Sequence, residues 1–127
     1  MATLGLNHFN LRAQHELLEK LREFYCDVVG LTVGIRPPSE VHGYWLYAGE
    51  QPVLHLSEAS AGDVRATDTV TTFDHVAFNC TDLAEFEGRL ARLGIKYRMN
   101  RVPQTNAVQL FVRDPAGNGV ELNFASE

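Results

Sequence analysis

Along residues 4–12 the chain alternates after Gly5. Phe9 and Leu11 fall on one side, and Leu6, His8, Asn10 and Arg12 fall on the other, a period of two that predicts a strand. The period lengthens over residues 14–29. There Leu17, Leu18, Leu21, Phe24, Tyr25, Val28 and Val29 recur at helical spacing, with Glu16, Glu19, Lys20, Arg22 and Glu23 opposite, and Gly30 is the expected C-cap. Strands are predicted at 31–35, 43–48 and 53–57, separated by Pro37-Pro38 and a turn over 49–52. Residues 58–72 are polar and aperiodic, which makes them the one candidate linker.

The same order then returns. A strand at 73–79 leads to a helix opened by Asp82-Leu83-Ala84-Glu85, a capping-box-like start, and continued by Phe86, Leu90 and Leu93 to Gly94. Strands are predicted at 95–99, 107–113 and 119–124, the last two joined by a turn over 114–118. His75 follows His8 by 67 positions, Leu110 follows Leu46 by 64, and Glu121 follows His55 by 66. An internal repeat of this length changes the fold assignment more than any local propensity does. The predicted fold is α+β: a single domain over 1–127 made of two tandem βαβββ modules, about 1–58 and about 73–127, with a linker at about 59–72.

The repeat also aligns chemistry. Asn7-His8-Phe9, Leu54-His55-Leu56, Asp74-His75-Val76 and Val120-Glu121-Leu122 each set one potential metal ligand between neighbours, at matching places in the two halves. A single histidine on a strand is ordinarily a hydrogen-bonded or surface residue. Two imidazoles and a carboxylate at repeat positions instead suit a divalent first-row metal and leave coordination positions for substrate or water. Parity places these residues opposite the apolar, helix-packing faces of their strands. His15 and His42 have no repeat counterparts and are expected at a solvated helix end and in a loop. Trp45, Tyr47 and Phe111 are either stacking surfaces for a ligand or core aromatics.

Eleven basic and sixteen acidic residues give a formal net charge of −5, and no basic run occurs, which argues against nucleic acid and anionic lipid as partners. No apolar run approaches the roughly 20 residues needed to span a bilayer, and Met1-Ala2-Thr3-Leu4-Gly5 has no leader-like pattern. The expectation is a cytoplasmic protein acting on a small molecule. Cys26 and Cys80 have neither metal-knuckle nor redox spacing and are expected to be buried free thiols.

Four segments carry a family likeness: Leu6-Asn7-His8-Phe9-Asn10-Leu11; Phe24-Tyr25 with Val29-Gly30-Leu31; Phe73-Asp74-His75-Val76-Ala77-Phe78; and Asp114-Pro115-Ala116-Gly117-Asn118-Gly119-Val120-Glu121-Leu122. Through them the whole chain resembles the vicinal oxygen chelate superfamily, which includes glyoxalase I, fosfomycin-resistance enzymes, methylmalonyl-CoA epimerase, bleomycin-binding proteins and extradiol dioxygenases. The resemblance implies paired βαβββ modules whose curved mixed sheets form a cleft around a divalent ion (Fe, Ni, Zn, Mn or Co). His8, His75 and Glu121 fall on metal-ligand positions. His55 stands where glyoxalase I usually has a carboxylate, as a fourth ligand or as an acid/base.

Asn10, Arg12, Trp45, Tyr47, Gln109 and Phe111 are the expected substrate-binding residues. Arg12 matches a position that binds the glutathione carboxylate, whereas Ala59 replaces the Asn expected four residues after His55. Gln109 and Phe111 replace hydroxyl-bearing residues of fosfomycin thiol transferases, and Phe111 also replaces a Tyr of the dioxygenases. The resemblance favours a glyoxalase I-like lyase or isomerase acting on a small substrate that chelates through adjacent oxygens. The alternatives are an Fe(II) extradiol-type ring-cleaving dioxygenase and a non-catalytic protein that binds a small aromatic or an antibiotic. A homodimer is expected, since relatives of this size commonly draw the ligands of one site from two chains.

Overall fold

The computed structural model describes residues 1–125, so the expected end of the second module at 126–127 lies outside the described residues. The chain divides into two compact units between Arg65 and Ala66. The first contains β1 (Phe9–Ala13), α1 (His15–Phe24), a π-helical turn (Tyr25–Val29), β2 (Thr32–Gly34), β3 (Gly43–Ala48) and β4 (Gln51–Glu58). The second contains β5 (His75–Cys80), α2 (Leu83–Arg92), β6 (Arg98–Arg101), β7 (Val108–Arg113) and β8 (Gly119–Phe124). The sheet orders are β1-β4-β3-β2 and β5-β8-β7-β6. In each, the module's first and last strands pair in parallel and the other pairings are antiparallel. The fold is therefore α+β with two βαβββ modules.

In the first unit α1 buries Leu18, Leu21 and Phe24, and the π-turn keeps Tyr25, Val28 and Val29 buried beyond the end of the regular helix. The predicted helix over 14–29 is thus an α-helix followed by one wide turn, which lets consecutive apolar residues stay on the buried side. Gly30, at φ 92°, ends it as the expected left-handed cap. Leu46, Leu54 and Leu56 are fully buried in β3 and β4. Leu110, Val120 and Leu122 do the same in β7 and β8, with Phe86 and Leu90 of α2 buried as well. Each such side chain contributes about 1.5–3 kcal/mol by leaving water.

Strand bounds shift by up to five residues from the sequence expectation, β5 among them at His75–Cys80 rather than 73–79, and three departures have a visible cause. β1 begins at Phe9 rather than residue 4, because its pairing with β4 starts at Phe9↔Leu54 and the preceding residues have no ladder neighbour; Leu4 and Leu6 are 98% and 85% exposed. β6 begins at Arg98 rather than residue 95, because the Ile95 N–H donates to the Leu90 carbonyl at 2.9 Å and closes the helix end. At α2 only half of the capping box forms: Asp82 accepts from the Glu85 N–H, but the Glu85 carboxylate pairs with Arg89 at 3.1 Å.

Candidate metal centre

Strand register sets out two donor pairs, one in each unit. In the first, Asn10 pairs with His55 across β1 and β4; in the second, Ala77 pairs with Glu121 across β5 and β8. His8 and His75 lie two positions before Asn10 and Ala77, so each shares a face with them and sits diagonal to the donor on the last strand.

The His8 and His55 rings stack at 3.7 Å with a 12° interplanar angle. Trp45, the register neighbour of His55 on β3, stacks on His55 at 4.1 Å and 11°. Because β4 lies between β1 and β3, the His55 ring is held between the other two. Burial pushes its pKa below the ordinary value, and the nearby His8 acts in the same direction, against the Pro52 carbonyl, which favours the proton. His55 is thus kept neutral, and its buried Nε2 has no hydrogen-bond partner. An unpaired buried nitrogen of this kind costs free energy unless something else binds it.

The second pair is organised by charge. Glu121 is only 6% exposed. Its Oε2 accepts from the Asn123 amide at 3.0 Å and the Gln109 amide at 3.3 Å, and Gln109 is oriented in turn by Asn100 at 2.8 Å. Its Oε1 stands 3.2 Å from His75 Nε2. His75 Nδ1 lies 2.7 Å from the Asp74 carboxylate, an acceptor, so Nδ1 carries the proton and donates it. A neutral His75 would then present a lone pair from Nε2 to the Glu121 oxygen. Two acceptors at that separation require a cation between them, either a second proton on the ring or a metal ion. Adjacent ligands at metal–donor bonds of about 2.1 Å stand roughly 3 Å apart, which this pair matches.

The same tautomer recurs in the first unit, where His8 Nδ1 lies 2.7 Å from the Asn7 side-chain oxygen. Each of these histidines thereby directs Nε2 away from its strand neighbour, the arrangement in which an outer hydrogen bond fixes a ligating imidazole. The donor chemistry present fits a divalent metal.

Other expected residues are placed less directly. Arg12 Nε donates to Ser57 Oγ, which donates to Asn10 Oδ1, both at 3.0 Å, so these three form a polar row beside His55 rather than contacts to it. Trp45 and Phe111 are half-buried on the donor faces: Trp45 against His55, and Phe111 edge-on to His75 at 6.0 Å with Arg98 over its ring at 4.3 Å. Tyr47 turns its hydroxyl to the Ile35 carbonyl and lies over Gly34, where a Cβ would strike its ring. Cys26 and Cys80 are free and half-buried, and burial raises both thiol pKa values, which keeps them protonated.

Sequence reasoning did not assign Asn7, Asp74, Asn123 or Asn100 to the site. The signal for the first two is visible in hindsight, since an oxygen-bearing residue precedes the histidine in both repeats. His15 and His42 are exposed, as expected, but neither is merely solvated: His15 donates to Glu58 at 2.6 Å and His42 to Glu19 at 3.0 Å.

The twice-repeated βαβββ module defines a fold class, and the sequence agrees with it. The chain belongs to the Glyoxalase/Bleomycin resistance protein/Dioxygenase superfamily, which it matches over residues 5–122. Among solved structures, a glyoxylase/bleomycin resistance protein/dioxygenase domain from Frankia sp. EAN1pec is 18% identical, with 99% of this chain and 95% of that one covered and a TM-score of 0.75. Lactoylglutathione lyase from Agrobacterium tumefaciens is 25% identical, with 98% and 96% covered and a TM-score of 0.66. A mutant of the fosfomycin resistance protein FosX from Listeria monocytogenes, complexed with Mn(II) and 1S,2S-dihydroxypropylphosphonic acid, is 16% identical, with 98% and 95% covered and a TM-score of 0.70. No curated protein matches the sequence. Among the described residues no helix is long and apolar enough to cross a membrane.

Proposed function

We propose that the protein is a divalent-metal-dependent lyase or isomerase of glyoxalase I type, acting on a small substrate that presents adjacent oxygens. The observation that carries this reading is the pair of acceptors at His75 Nε2 and Glu121 Oε1, 3.2 Å apart with Nδ1 already engaged, which calls for a cation. His8, His55, His75 and Glu121 are the proposed ligands. The likeness to lactoylglutathione lyase supports the reaction class, and the likeness to the Mn(II)-bound FosX supports the metal. When bound, the ion polarises a carbonyl oxygen as a Lewis acid.

The chain's own groups supply the remaining steps. Glu121, giving up its place on the ion to the incoming substrate, accepts through Oε1 the proton from the carbon beside the polarised carbonyl and returns it to the carbonyl carbon, while Asn123 and Gln109 keep Oε2 fixed, so the carboxylate turns little during transfer. His55 acts as a neutral ligand rather than as the proton carrier, because its Nε2 is buried and its ring is clamped between His8 and Trp45. Asn10 and Arg12 offer polar contacts, Arg12 for a substrate carboxylate, and Trp45 and Phe111 flank the donors with apolar surface. The proposed assembly is a homodimer, for which light scattering should give twice the chain mass.

The test is turnover of a 2-oxoaldehyde–thiol adduct by protein loaded with nickel or zinc, compared with the Glu121→Gln variant. Turnover lost in the variant supports the reading. Oxygen consumption with a catechol panel after Fe(II) loading would replace it with ring cleavage, and tight ligand binding without turnover in metal-free protein would replace it with a binding role.

A further inference from the structure

We propose that His15, His42 and Glu58 form a second divalent-metal site, able to take a zinc-like cation, on the helix-facing side of the first module's sheet. One ligand atom from each of the three lies within 4.8 Å of the other two. Glu58 falls on the side of β4 opposite His55 and Ser57, so these donors are separate from the sheet-face donors described above.

Three backbone segments fix the cluster. The Glu58 N–H donates to the His42 carbonyl at 2.8 Å, the Ala59 N–H donates to the Ala13 carbonyl at 2.8 Å, and Ala13 pairs with Glu58 in the β1–β4 ladder, two residues before His15 opens α1. The end of β4, the entry to β3 and the start of α1 are thereby tied together before any ion binds.

The donor chemistry is specific as well as close. His15 Nδ1 and Glu58 Oε1, 2.6 Å apart, share a proton that a metal displaces. The His15 and His42 rings lie 5.4 Å apart. His42 Nε2 is held by Glu19, itself fixed by Tyr44 and Arg22, in the manner of the outer carboxylate that orients a ligating imidazole. The positive end of α1 opposes a cation, and the Glu58 carboxylate acts against it. Two imidazoles and one carboxylate suit Zn(II) and leave a fourth position for water or an outside donor. The ligand side chains are 67%, 42% and 31% exposed for His15, His42 and Glu58, which gives an ion direct access and lets the rings adjust.

Zinc titration by calorimetry tests this on the full chain carrying His55→Ala and Glu121→Gln, which disables the sheet-face donors. The expected result is one Zn(II) per chain, weakened by more than about 100-fold by His42→Ala and by His15→Ala, with Glu58→Gln weakening it in the same direction. In the otherwise wild-type chain the double substitution His15→Ala/His42→Ala should lower bound zinc by one equivalent. Absence of stoichiometric zinc in the disabled chain, together with unchanged zinc content in the wild-type chain carrying the double substitution, would overturn the proposal. So would binding that none of the three substitutions alters.

Discussion

The two donor pairs occupy equivalent backbone positions and differ in what surrounds them. His55 and Glu121 stand at corresponding rungs of two parallel ladders, Asn10↔His55 and Ala77↔Glu121. His55 is desolvated between two rings and left with a bare nitrogen, whereas Glu121 is held by two amides and faces an imidazole. The repeated fold thus decides where a donor sits, and the neighbouring side chains decide its charge and how firmly it is aimed. In this account the second pair carries the charge and moves the proton, and the first pair supplies neutral donors.

The largest expected effect is on chemistry. Glu121→Gln keeps the shape but removes the base together with a metal ligand, and kcat/KM for the adduct should fall by at least about 10²–10⁴-fold; a fall of less than tenfold would assign both roles elsewhere. Next, Asn123→Ala leaves Glu121 Oε2 with one amide, and metal affinity should drop by about 10–100-fold in competition with a chelator. His55→Glu makes the two modules chemically alike; metal should still bind, and the stacking with Trp45 is lost.

Trp45→Ala removes one face of the clamp. It should lower stability by about 0.5–1.5 kcal/mol beyond the lost burial, measured by denaturant unfolding.

The smallest effect is on acid stability. The folded-state pKa of His55 lies below its unfolded value, so between the two values the unfolded chain binds more protons and stability rises with pH. Metal-free protein should therefore lose this contribution as pH falls below the ordinary imidazole range, and His55→Gln should flatten that part of the profile. An unchanged profile would mean that the ring is not desolvated.

Much of this was legible in the sequence because it depends on periods. Alternation placed His8 with Asn10 and Arg12, and the 66- and 67-residue offsets paired His55 with Glu121 and His8 with His75. β3 and β8 also fall where the pattern predicts them. What could not be read depends on register and rotamer. The start of β1 at Phe9 is set by where β4 offers partners. The cluster of His15, His42 and Glu58 arises because the β1–β4 ladder brings Ala13 beside Glu58 and a single backbone bond brings in His42, positions with no common spacing and no counterpart in the second module. The protons on His75 and His8 are set by Asp74 and Asn7, which sequence shows only as adjacent polar residues.

The most direct test is elemental analysis of protein purified with His15 and His42 both replaced by Ala, so that the sheet-face donors alone hold metal, with and without His75→Ala, Glu121→Gln, His8→Ala and His55→Ala. The account predicts a stoichiometric divalent ion in the parent, loss of it with His75→Ala or Glu121→Gln, and marked weakening with His8→Ala and His55→Ala. Full metal content in the His75→Ala and Glu121→Gln proteins would contradict it.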